Sequence, residues 1–291
     1  MDDAIGKSRA LIEALAYIRR FRGRIVVVKL GGSVMDDESS IRAVLTDVVF
    51  MATVGMRPVL VHGGGHAITE AMNKAGLDAQ FVQGRRYTDE RTLAIAEHVL
   101  VNQINAQIIS MISGLGCEAM GLHSLSSCVI FAEQLFLTGD SGRRIDIGLV
   151  GNVTSVNGKL LRTLCDADVI PVVAPIARDT AGGKLNINAD TAAGQIAAAV
   201  GAEKLVILSD THGIRTDAST DDSLAEQLNE AQIRKLMQDK VIDGGMLPKV
   251  DACLTALDAG VSRAHIIDGR IPHSLLLEIY TDRGVGTLIV K

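Results

Sequence analysis

Two glycine-rich segments of the chain carry residue types suited to binding an anion. The first, Lys29-Leu30-Gly31-Gly32-Ser33, places a lysine just before a glycine pair, and the second is Val61-His62-Gly63-Gly64-Gly65. Glycines allow backbone N–H groups to approach an anion closely, and lysine supplies a point charge. Neither segment has the GxxxxGKS/T spacing of a P-loop or the GxGxxG spacing of a dinucleotide site. We expect both segments to face one small anionic substrate.

Each segment also has a plainer interpretation. Gly31 and Gly32 could simply turn the chain while the stem of Lys29 packs along the surface. His62 and His66 are four residues apart, a spacing that suits zinc when both lie on a helix. The glycines between them disfavour a helix, and no HExxH glutamate is present, so we predict no metal ligation by this pair.

Three later segments add polar and charged side chains next to turns. They are Gly84-Arg85-Arg86-Tyr87-Thr88-Asp89, Asn186-Ile187-Asn188-Ala189-Asp190 and Gly244-Gly245-Met246-Leu247-Pro248-Lys249. Taken singly, the arginines could form an ion pair with Asp89, and Asn188 or Asp190 could be a helix N-cap. Taken together, Lys29 and Lys249 with the carboxylate of Asp190 are typical of a phosphoryl-transfer site that uses no protein nucleophile.

Alternating strands and helices are predicted to position these segments. The continuous apolar runs at 25–28 and 58–61 are typical of strands buried on both faces of a parallel sheet, and a helical pattern follows each. This alternation predicts a doubly wound α/β sheet, whose ligand sites lie outside the carboxyl ends of the strands. Further strands are predicted at 128–131, 169–173, 205–208, 265–267 and 287–290, and helices at 8–21, 67–74, 92–113, 189–200, 230–239 and 250–259.

The composition excludes several other classes of protein. The 291 residues are 47% hydrophobic and 22% charged with a formal net charge of −5, which argues against nucleic-acid binding. The four cysteines form no CxxC pair, so neither a zinc knuckle nor a disulfide framework is expected. The N-terminus is acidic and no apolar run is long enough for an export signal or a membrane span, which predicts a cytoplasmic protein.

In their order and spacing, these motifs resemble the amino acid kinase family over residues 26–290. The five segments above carry the resemblance, together with Gly148-Leu149-Val150-Gly151 and Leu208-Ser209-Asp210. The resemblance implies a three-layer αβα sandwich with a mainly parallel, open central sheet and two lobes. It also implies phosphoryl transfer from MgATP to the side-chain carboxylate of N-acetyl-L-glutamate, an early step of arginine biosynthesis.

The resemblance further implies a role for each site residue. Lys29 and Lys249 would stabilise the charge on the phosphoryl group in flight, and Asp190 would hold both lysines. The substrate would be bound by Gly64, Gly65, Arg86 and Asn186, and the nucleotide and its phosphates by Gly31, Gly32, Ser209, Asp210 and Gly213. The backbone N–H groups of Gly32 and Gly64 would donate to the transferred phosphoryl group. Mg²⁺ would be held mostly by phosphate oxygens rather than by protein ligands.

A polar, glycine-rich turn at 178–184 lies between two apolar regions and is the candidate division between lobes. By the resemblance, 23–181 would bind the acylated amino acid and 182–291 would bind ATP. Gln83, Arg85 and Thr211-His212 depart from the residues usual in the family, which leaves the details of the substrate turn and the adenine contacts open.

The N-terminal segment carries separate information. Its sequence Tyr17-Ile18-Arg19-Arg20-Phe21-Arg22-Gly23 resembles the extra helix of members that are hexamers inhibited by arginine. The resemblance implies that 1–22 links dimers and that arginine binds near Tyr17, Glu278 and Gly284. The alternative is a plain surface helix, although its apolar face needs a partner.

Two other functions fit parts of the pattern. One is a carbamate, aspartate, glutamate 5- or uridylate kinase of the same family, but the carboxylate-binding pair Arg86 and Asn186 favours an acylated amino acid. The other is a non-catalytic arginine sensor or the kinase-like half of an acetyltransferase, which would not need both lysines.

Overall fold

An eight-stranded sheet forms the centre of the fold. The structure is a computed structural model that describes residues 2–139, 142–217, 220, 223–280 and 284–291. In spatial order the strands are β12 (Gln227–Asn229), β14 (Thr287–Val290), β13 (Arg263–Asp268), β11 (Lys204–Ser209), β1 (Ile25–Leu30), β2 (Arg57–His62), β8 (Val169–Val173) and β5 (Glu118–Leu122). Neighbours are parallel except β13 and β14, which confirms the predicted mainly parallel sheet.

Helices cover both faces of the sheet. They are α1 (Asp2–Phe21), α2 (Gly32–Met35), α3 (Glu38–Thr53), α4 (Gly65–Lys74), α5 (Glu90–Glu97), α6 (Ala106–Gly114), α7 (Gly158–Asp166), α8 (Ala189–Val200), α9 (Glu230–Gln238), α10 (Leu247–Asp258) and α11 (Ser274–Tyr280). In β1, Val26 and Val28 pack with α3, α6 and α11, whereas Val27 packs on the other face with α7, α8 and α10. Successive side chains of a strand point to opposite faces, so burial of all three confirms the αβα sandwich.

Some predicted boundaries match and others differ. The bounds of α8 and β14 are those predicted from the sequence. Helix α1 begins at Asp2 rather than at residue 8. The helix predicted over 92–113 is one continuous run in which a π-helical segment, His98–Asn105, separates α5 from α6. Within the described residues, no helix is long and apolar enough to cross a bilayer.

A small β-barrel stands beside the sheet and was not predicted. Its strands are β6 (Ile130–Thr138), β7 (Arg144–Val156), β9 (Ile176–Arg178) and β10 (Lys184–Asn186). A separate antiparallel pair is formed by β3 (Phe81–Val82) and β4 (Arg85–Arg86). The strand predicted at 128–131 is therefore misplaced, because β6 begins at Ile130 and runs to Thr138. The polar turn at 178–184 joins β9 to its antiparallel partner β10, with the Asp179 N–H donating to the Gly183 carbonyl at 3.0 Å. A division between lobes at this turn stays a prediction.

Candidate active site

The two glycine-rich segments meet at neighbouring strand ends. Strands β1 and β2 are parallel neighbours with Leu30 opposite His62. The glycines that follow the two strands therefore lie side by side at the carboxyl ends of the strands. A cavity of about 240 Å³ lies at these carboxyl ends. Its lining residues include Lys29, Gly32, Gly63, Gly64, Gly65, Arg85, Arg86, Asn186, Asn188 and Asp190. Both segments therefore line one cavity, and that they bind one small anionic substrate there stays a prediction.

Two lysines converge on one buried carboxylate at this cavity. The Lys29 Nζ lies 2.8 Å from Oδ1 of Asp190, and the Lys249 Nζ lies 3.9 Å from Oδ2. The first contact is an ion pair without hydrogen-bond alignment, since Oδ1 has no aligned donor. Lys249 also donates to the Gly245 carbonyl at 2.9 Å. Lys29 lies near the end of β1, Asp190 in the first turn of α8 and Lys249 in the first turn of α10, so three separate elements build the cluster.

A close helix crossing brings Lys249 within reach of Asp190. At the crossing of α8 and α10, a β-carbon added to Gly194 would lie 2.6 Å from the Ala252 carbonyl oxygen. Only glycine permits this separation of the two backbones. Asn188 caps α8 by accepting a hydrogen bond from the Thr191 N–H at 3.0 Å, which fixes where that helix begins.

Burial and neighbouring charges set the electrostatics of the cluster. Burial lowers the pKa of Lys249 below its ordinary value, the Asp190 carboxylate raises this pKa, and the nearby Lys29 lowers it. Burial also lowers the pKa of Arg86. The cavity therefore concentrates cationic groups in a partly dry setting, where they act strongly on an anion.

Arg86 also lines this cavity and is held by several hydrogen bonds. Its Nη2 donates to the Gly65 carbonyl at 2.8 Å and to Thr69 Oγ1 at 2.7 Å, and its Nη1 donates to Met72 Sδ at 3.2 Å. The guanidinium lies 4.8 Å from the centroid of the Phe81 ring. These bonds use three of the five N–H donors of the arginine, which leaves two for a ligand.

Asn186 lies on the barrel strand β10 and faces the same cavity. Its Nδ2 donates to Thr88 Oγ1 at 3.2 Å, and Thr88 Oγ1 in turn donates to the Arg86 carbonyl at 3.0 Å. Thr88 thus connects the two predicted carboxylate-binding residues. Sequence reasoning gave Thr88 no separate role, because its only signal was its place in the arginine turn.

A second, larger cavity lies near the ends of β11 and β13. Its volume is about 540 Å³, and it is lined by Asp210, Thr211, His212, Gly213, Asp243 and Arg270, among others. Ser209 is buried beside it and donates to Asp210 Oδ1 at 3.2 Å, while Gly31 packs against the backbone of Leu208. Arg270, which the sequence did not single out, donates to both oxygens of Asp268 and to the Asp210 carbonyl.

A third cavity, of about 430 Å³, lies between α1 and the end of the chain. Tyr17, Lys204, His265, Glu278 and Gly284 are among its lining residues, so the structure brings together the three residues predicted for an inhibitor. Glu278 is 6% exposed, unlike a solvated surface residue. Its Oε1 lies 2.6 Å from His265 Nδ1, and its Oε2 accepts from the Val285 N–H at 2.7 Å. Burial raises the pKa of Glu278, but these hydrogen bonds outweigh burial and the pKa lies below its ordinary value.

Comparison with known proteins places this geometry in a family. The model of the amino acid kinase family matches residues 24–268, which include both glycine segments and the Lys29, Asp190 and Lys249 cluster. The chain belongs to the amino acid kinase family. Acetylglutamate kinases match nearly the whole of this chain. An acetylglutamate kinase of Pelotomaculum thermopropionicum is 47% identical over 289 residues, covering 98% of each chain. An acetylglutamate kinase of Halothermothrix orenii is 42% identical over 291 residues, covering 100% of this chain and 99% of the relative.

Solved structures with this family fold include longer proteins. N-acetylglutamate synthase from Neisseria gonorrhoeae, complexed with coenzyme A and N-acetyl-glutamate, superposes with a TM-score of 0.84 at 25% identity. The match covers 98% of this chain but 63% of the synthase, so the chain spans under two thirds of that protein. Giardia carbamate kinase superposes with a TM-score of 0.64 at 17% identity, covering 92% and 99% of the two chains, which shows the common fold alone.

Proposed function

We propose that the chain transfers the γ-phosphoryl group of ATP to the side-chain carboxylate of N-acetyl-L-glutamate, in arginine biosynthesis in the cytoplasm. The observation that carries the proposal is that Lys29 and Lys249 share the Asp190 carboxylate, and that this carboxylate lines one cavity with Arg86 and Asn186. The full-length similarity to acetylglutamate kinases supports the choice of acceptor among the reactions of the family.

The proposed mechanism needs no general base. The acceptor carboxylate is already an anionic nucleophile, so the barrier lies in bringing it to an anionic phosphoryl group. Lys29 and Lys249 offset that repulsion, and the Gly32 and Gly64 N–H groups donate to the phosphoryl oxygens in flight. Asp190 holds the two ammonium groups close together against their own repulsion.

The acceptor and the nucleotide would enter from opposite sides of this cluster. Arg86 and Asn186 would bind the other carboxylate of the acceptor, beside the backbone of Gly64 and Gly65. The larger cavity at Asp210 and Gly213 suits ATP, with Gly31, Gly32 and Ser209 towards its phosphates. The chain segments 23–181 and 182–291 would form the two corresponding lobes.

Mg²⁺ would accompany ATP and neutralise charge on its phosphates. Within the described residues, no group of three or more His, Cys, Asp or Glu side chains could hold a metal ion. The Asp190 carboxylate is engaged by Lys29 and Lys249. Phosphate oxygens are therefore the ligands that the proposal assigns to the ion, a donor set that Mg²⁺ prefers.

Inhibition by arginine and assembly into a homo-oligomer are the finer part of the proposal. The third cavity offers the buried Glu278 carboxylate for a guanidinium and backbone groups at Gly284 for the ligand's other end. Both Glu278 oxygens already have hydrogen-bond partners, so arginine would share them with groups that include His265 and Val285. Ile12 and Leu15 of α1 are 71% and 42% exposed, which supports pairing of α1 with its copy in a hexamer of linked dimers.

An ADP-release assay tests the proposed reaction. ADP formation from MgATP should require N-acetyl-L-glutamate and should not occur with aspartate, glutamate or carbamate at the same concentration. Activity with one of these acids and none with N-acetyl-L-glutamate would refute the proposed acceptor.

A truncation tests the proposed regulation separately. Deleting residues 1–22 should give smaller, active particles that arginine does not inhibit. A truncated enzyme that stays hexameric, or that arginine still inhibits fully, would refute the role of α1. Since coupling between sites is reciprocal, substrates should also weaken arginine binding in the full chain.

A further inference from the structure

Two buried polar side chains, His62 and Asn105, meet behind the glycine segment of the acceptor cavity. His62 ends β2 and is 0% exposed, and Asn105 ends the π-helical segment and is 1% exposed. The mechanism above uses neither side chain. Buried polar groups are costly unless they are hydrogen-bonded, so their partners are informative.

The hydrogen bonds of Asn105 determine which nitrogen of His62 carries the proton. One atom of the Asn105 amide lies 3.0 Å from the Val172 carbonyl oxygen and 3.0 Å from His62 Nε2. A carbonyl oxygen can only accept, so this atom is the amide nitrogen, and its second hydrogen points at Nε2. Nε2 is then the acceptor, and a neutral imidazole must carry its hydrogen on Nδ1. Burial lowers the pKa of His62 to about 4, which keeps the ring neutral near pH 7.

The proton on Nδ1 holds the backbone of the glycine segment. His62 Nδ1 lies 3.0 Å from the Gly63 carbonyl oxygen and donates to it. The peptide between Gly63 and Gly64 is trans, so its carbonyl and its N–H point in opposite directions. Holding the Gly63 carbonyl towards the buried imidazole therefore directs the Gly64 N–H away from it. Gly64 lines the acceptor cavity, and its N–H has no backbone acceptor among the described residues.

A glycine segment needs such a restraint more than other sequences do. Three consecutive glycines have freely accessible φ and ψ angles, so this peptide could rotate and turn the N–H away from a ligand. The π-helical segment that supplies Asn105 also packs Leu100 and Ile104 against Gly64, where an added β-carbon would lie 2.7 Å from each side chain. π-helical turns occur frequently at functional sites.

We propose that Asn105 and His62 are positioning residues that aim the Gly64 N–H at the transferred phosphoryl group. The chain of contacts runs from the Val172 carbonyl through Asn105 and His62 to the Gly63 carbonyl. The proposal rests on the role given to Gly64 in the proposed function. Neither side chain touches the reacting atoms.

The tautomer of His62 gives a test that does not depend on activity. In the full-length protein labelled with ¹⁵N-histidine, the two ring nitrogens of His62 are assigned by comparison with the His62→Gln variant. We expect a protonated Nδ1 and an unprotonated Nε2 at pH 7. A ring protonated on Nε2, or on both nitrogens, would overturn the proposal even if the enzyme phosphorylates N-acetyl-L-glutamate.

Two amide variants of His62 test the positioning role in the ADP-release assay. An asparagine amide can replace Nδ1 as the donor to Gly63, whereas a glutamine amide reaches towards the Nε2 position and does not. Loss of one hydrogen-bond donor to a developing oxyanion lowers kcat by about 10²–10³-fold. In His62→Gln the Gly64 N–H is misdirected but still present, so kcat should fall by about ten- to a hundredfold. The KM for ATP should change little, and His62→Asn should recover most of the lost kcat.

The midpoints of thermal unfolding of both variants distinguish a positioning role of His62 from a role in folding stability. A purely structural role predicts that kcat falls in parallel with the midpoint in both variants. Equal kcat losses in the two variants, or a wild-type kcat in His62→Gln, would overturn the proposal. If the wild-type protein releases no ADP with N-acetyl-L-glutamate, the proposed function fails, while the tautomer measurement still decides the hydrogen-bond chain.

Discussion

Replacing Asp190 by asparagine tests the centre of the proposed mechanism. The change keeps the shape of the side chain but removes the charge that Lys29 and Lys249 share at 2.8 and 3.9 Å. At an effective dielectric constant of about 20, contacts of this length correspond to roughly 6 and 4 kcal/mol of gross attraction. The side chains of all three residues are at most 17% exposed, so solvent screens these charges weakly.

Two effects of this change should be measurable. Breaking a buried pair by removing one partner costs about 3–5 kcal/mol of folding stability. The two ammonium groups should also move apart, and displacement of catalytic groups by about 1 Å lowers turnover by about 10²-fold. We therefore expect kcat to fall by about 10²–10³. The KM for the acceptor should change less, since Arg86 and Asn186 are untouched.

The Asp190→Asn change should also shift the pH at which kcat is lost. Asp190 raises the pKa of Lys249, whereas burial and Lys29 lower it. Without the carboxylate the pKa of Lys249 falls further, and because the charged lysine is the active form, kcat should be lost at lower pH than in the wild type. The assay is ADP release against pH at saturating substrates. The control is Asp166→Asn, the same chemical change in an ion pair with Arg57 at 2.8 Å, where Arg57 lies at the amino end of β2 and the cavity lies beyond the carboxyl end. The reasoning would be refuted if the variant lost kcat at the same alkaline pH as the wild type. A kcat within tenfold of the wild-type value would also refute it.

Three further predictions follow from other parts of the structure. Arg86→Ala should raise the KM for N-acetyl-L-glutamate by about 10²-fold, as expected for loss of a charged bidentate contact, while ATP binding measured by calorimetry is retained; lost ATP binding would mean that the two cavities are assigned in reverse. Gly194→Ala should lower the free energy of unfolding, measured with denaturant, by about 1–3 kcal/mol and should lower kcat by separating α8 from α10. Gly114→Ala is the control, because nothing lies within 4 Å of the added carbon, and it should change neither quantity. Equal effects of the two changes would contradict the close crossing of α8 and α10 as the cause. Glu278→Gln should weaken arginine binding by at least about tenfold, since a guanidinium loses its charged partner, and an unchanged arginine affinity would remove Glu278 from the inhibitor site.

Local patterns were enough for six of the eight strands of the sheet and for most of its helices, but they missed β5 and β12. The run at 25–28 is apolar at every position because β1 is buried on both faces, and this pattern is visible without any tertiary knowledge. The barrel strands were missed because their burial is irregular: β7 alternates poorly between buried and exposed positions, and β9 and β10 are three residues each. Such short strands exist through pairing with distant segments, which a local window does not contain.

The sequence by itself determined which residues beside turns carry charge or backbone N–H groups: Lys29, Gly64, Arg86, Asp190 and Lys249 all lie next to turns that a pattern reveals. Only the tertiary structure decided that Lys29 and Lys249 share one carboxylate, because this depends on α8 and α10 crossing closely at Gly194. It alone decided that Asn105 reaches His62, since the pair is separated by 43 residues in the chain and is joined by a π-helical turn that the helical periodicity hid. The physical reason is the same in both cases. Residue type fixes what a group can donate or accept, whereas distance and direction are set by packing between elements far apart in the sequence.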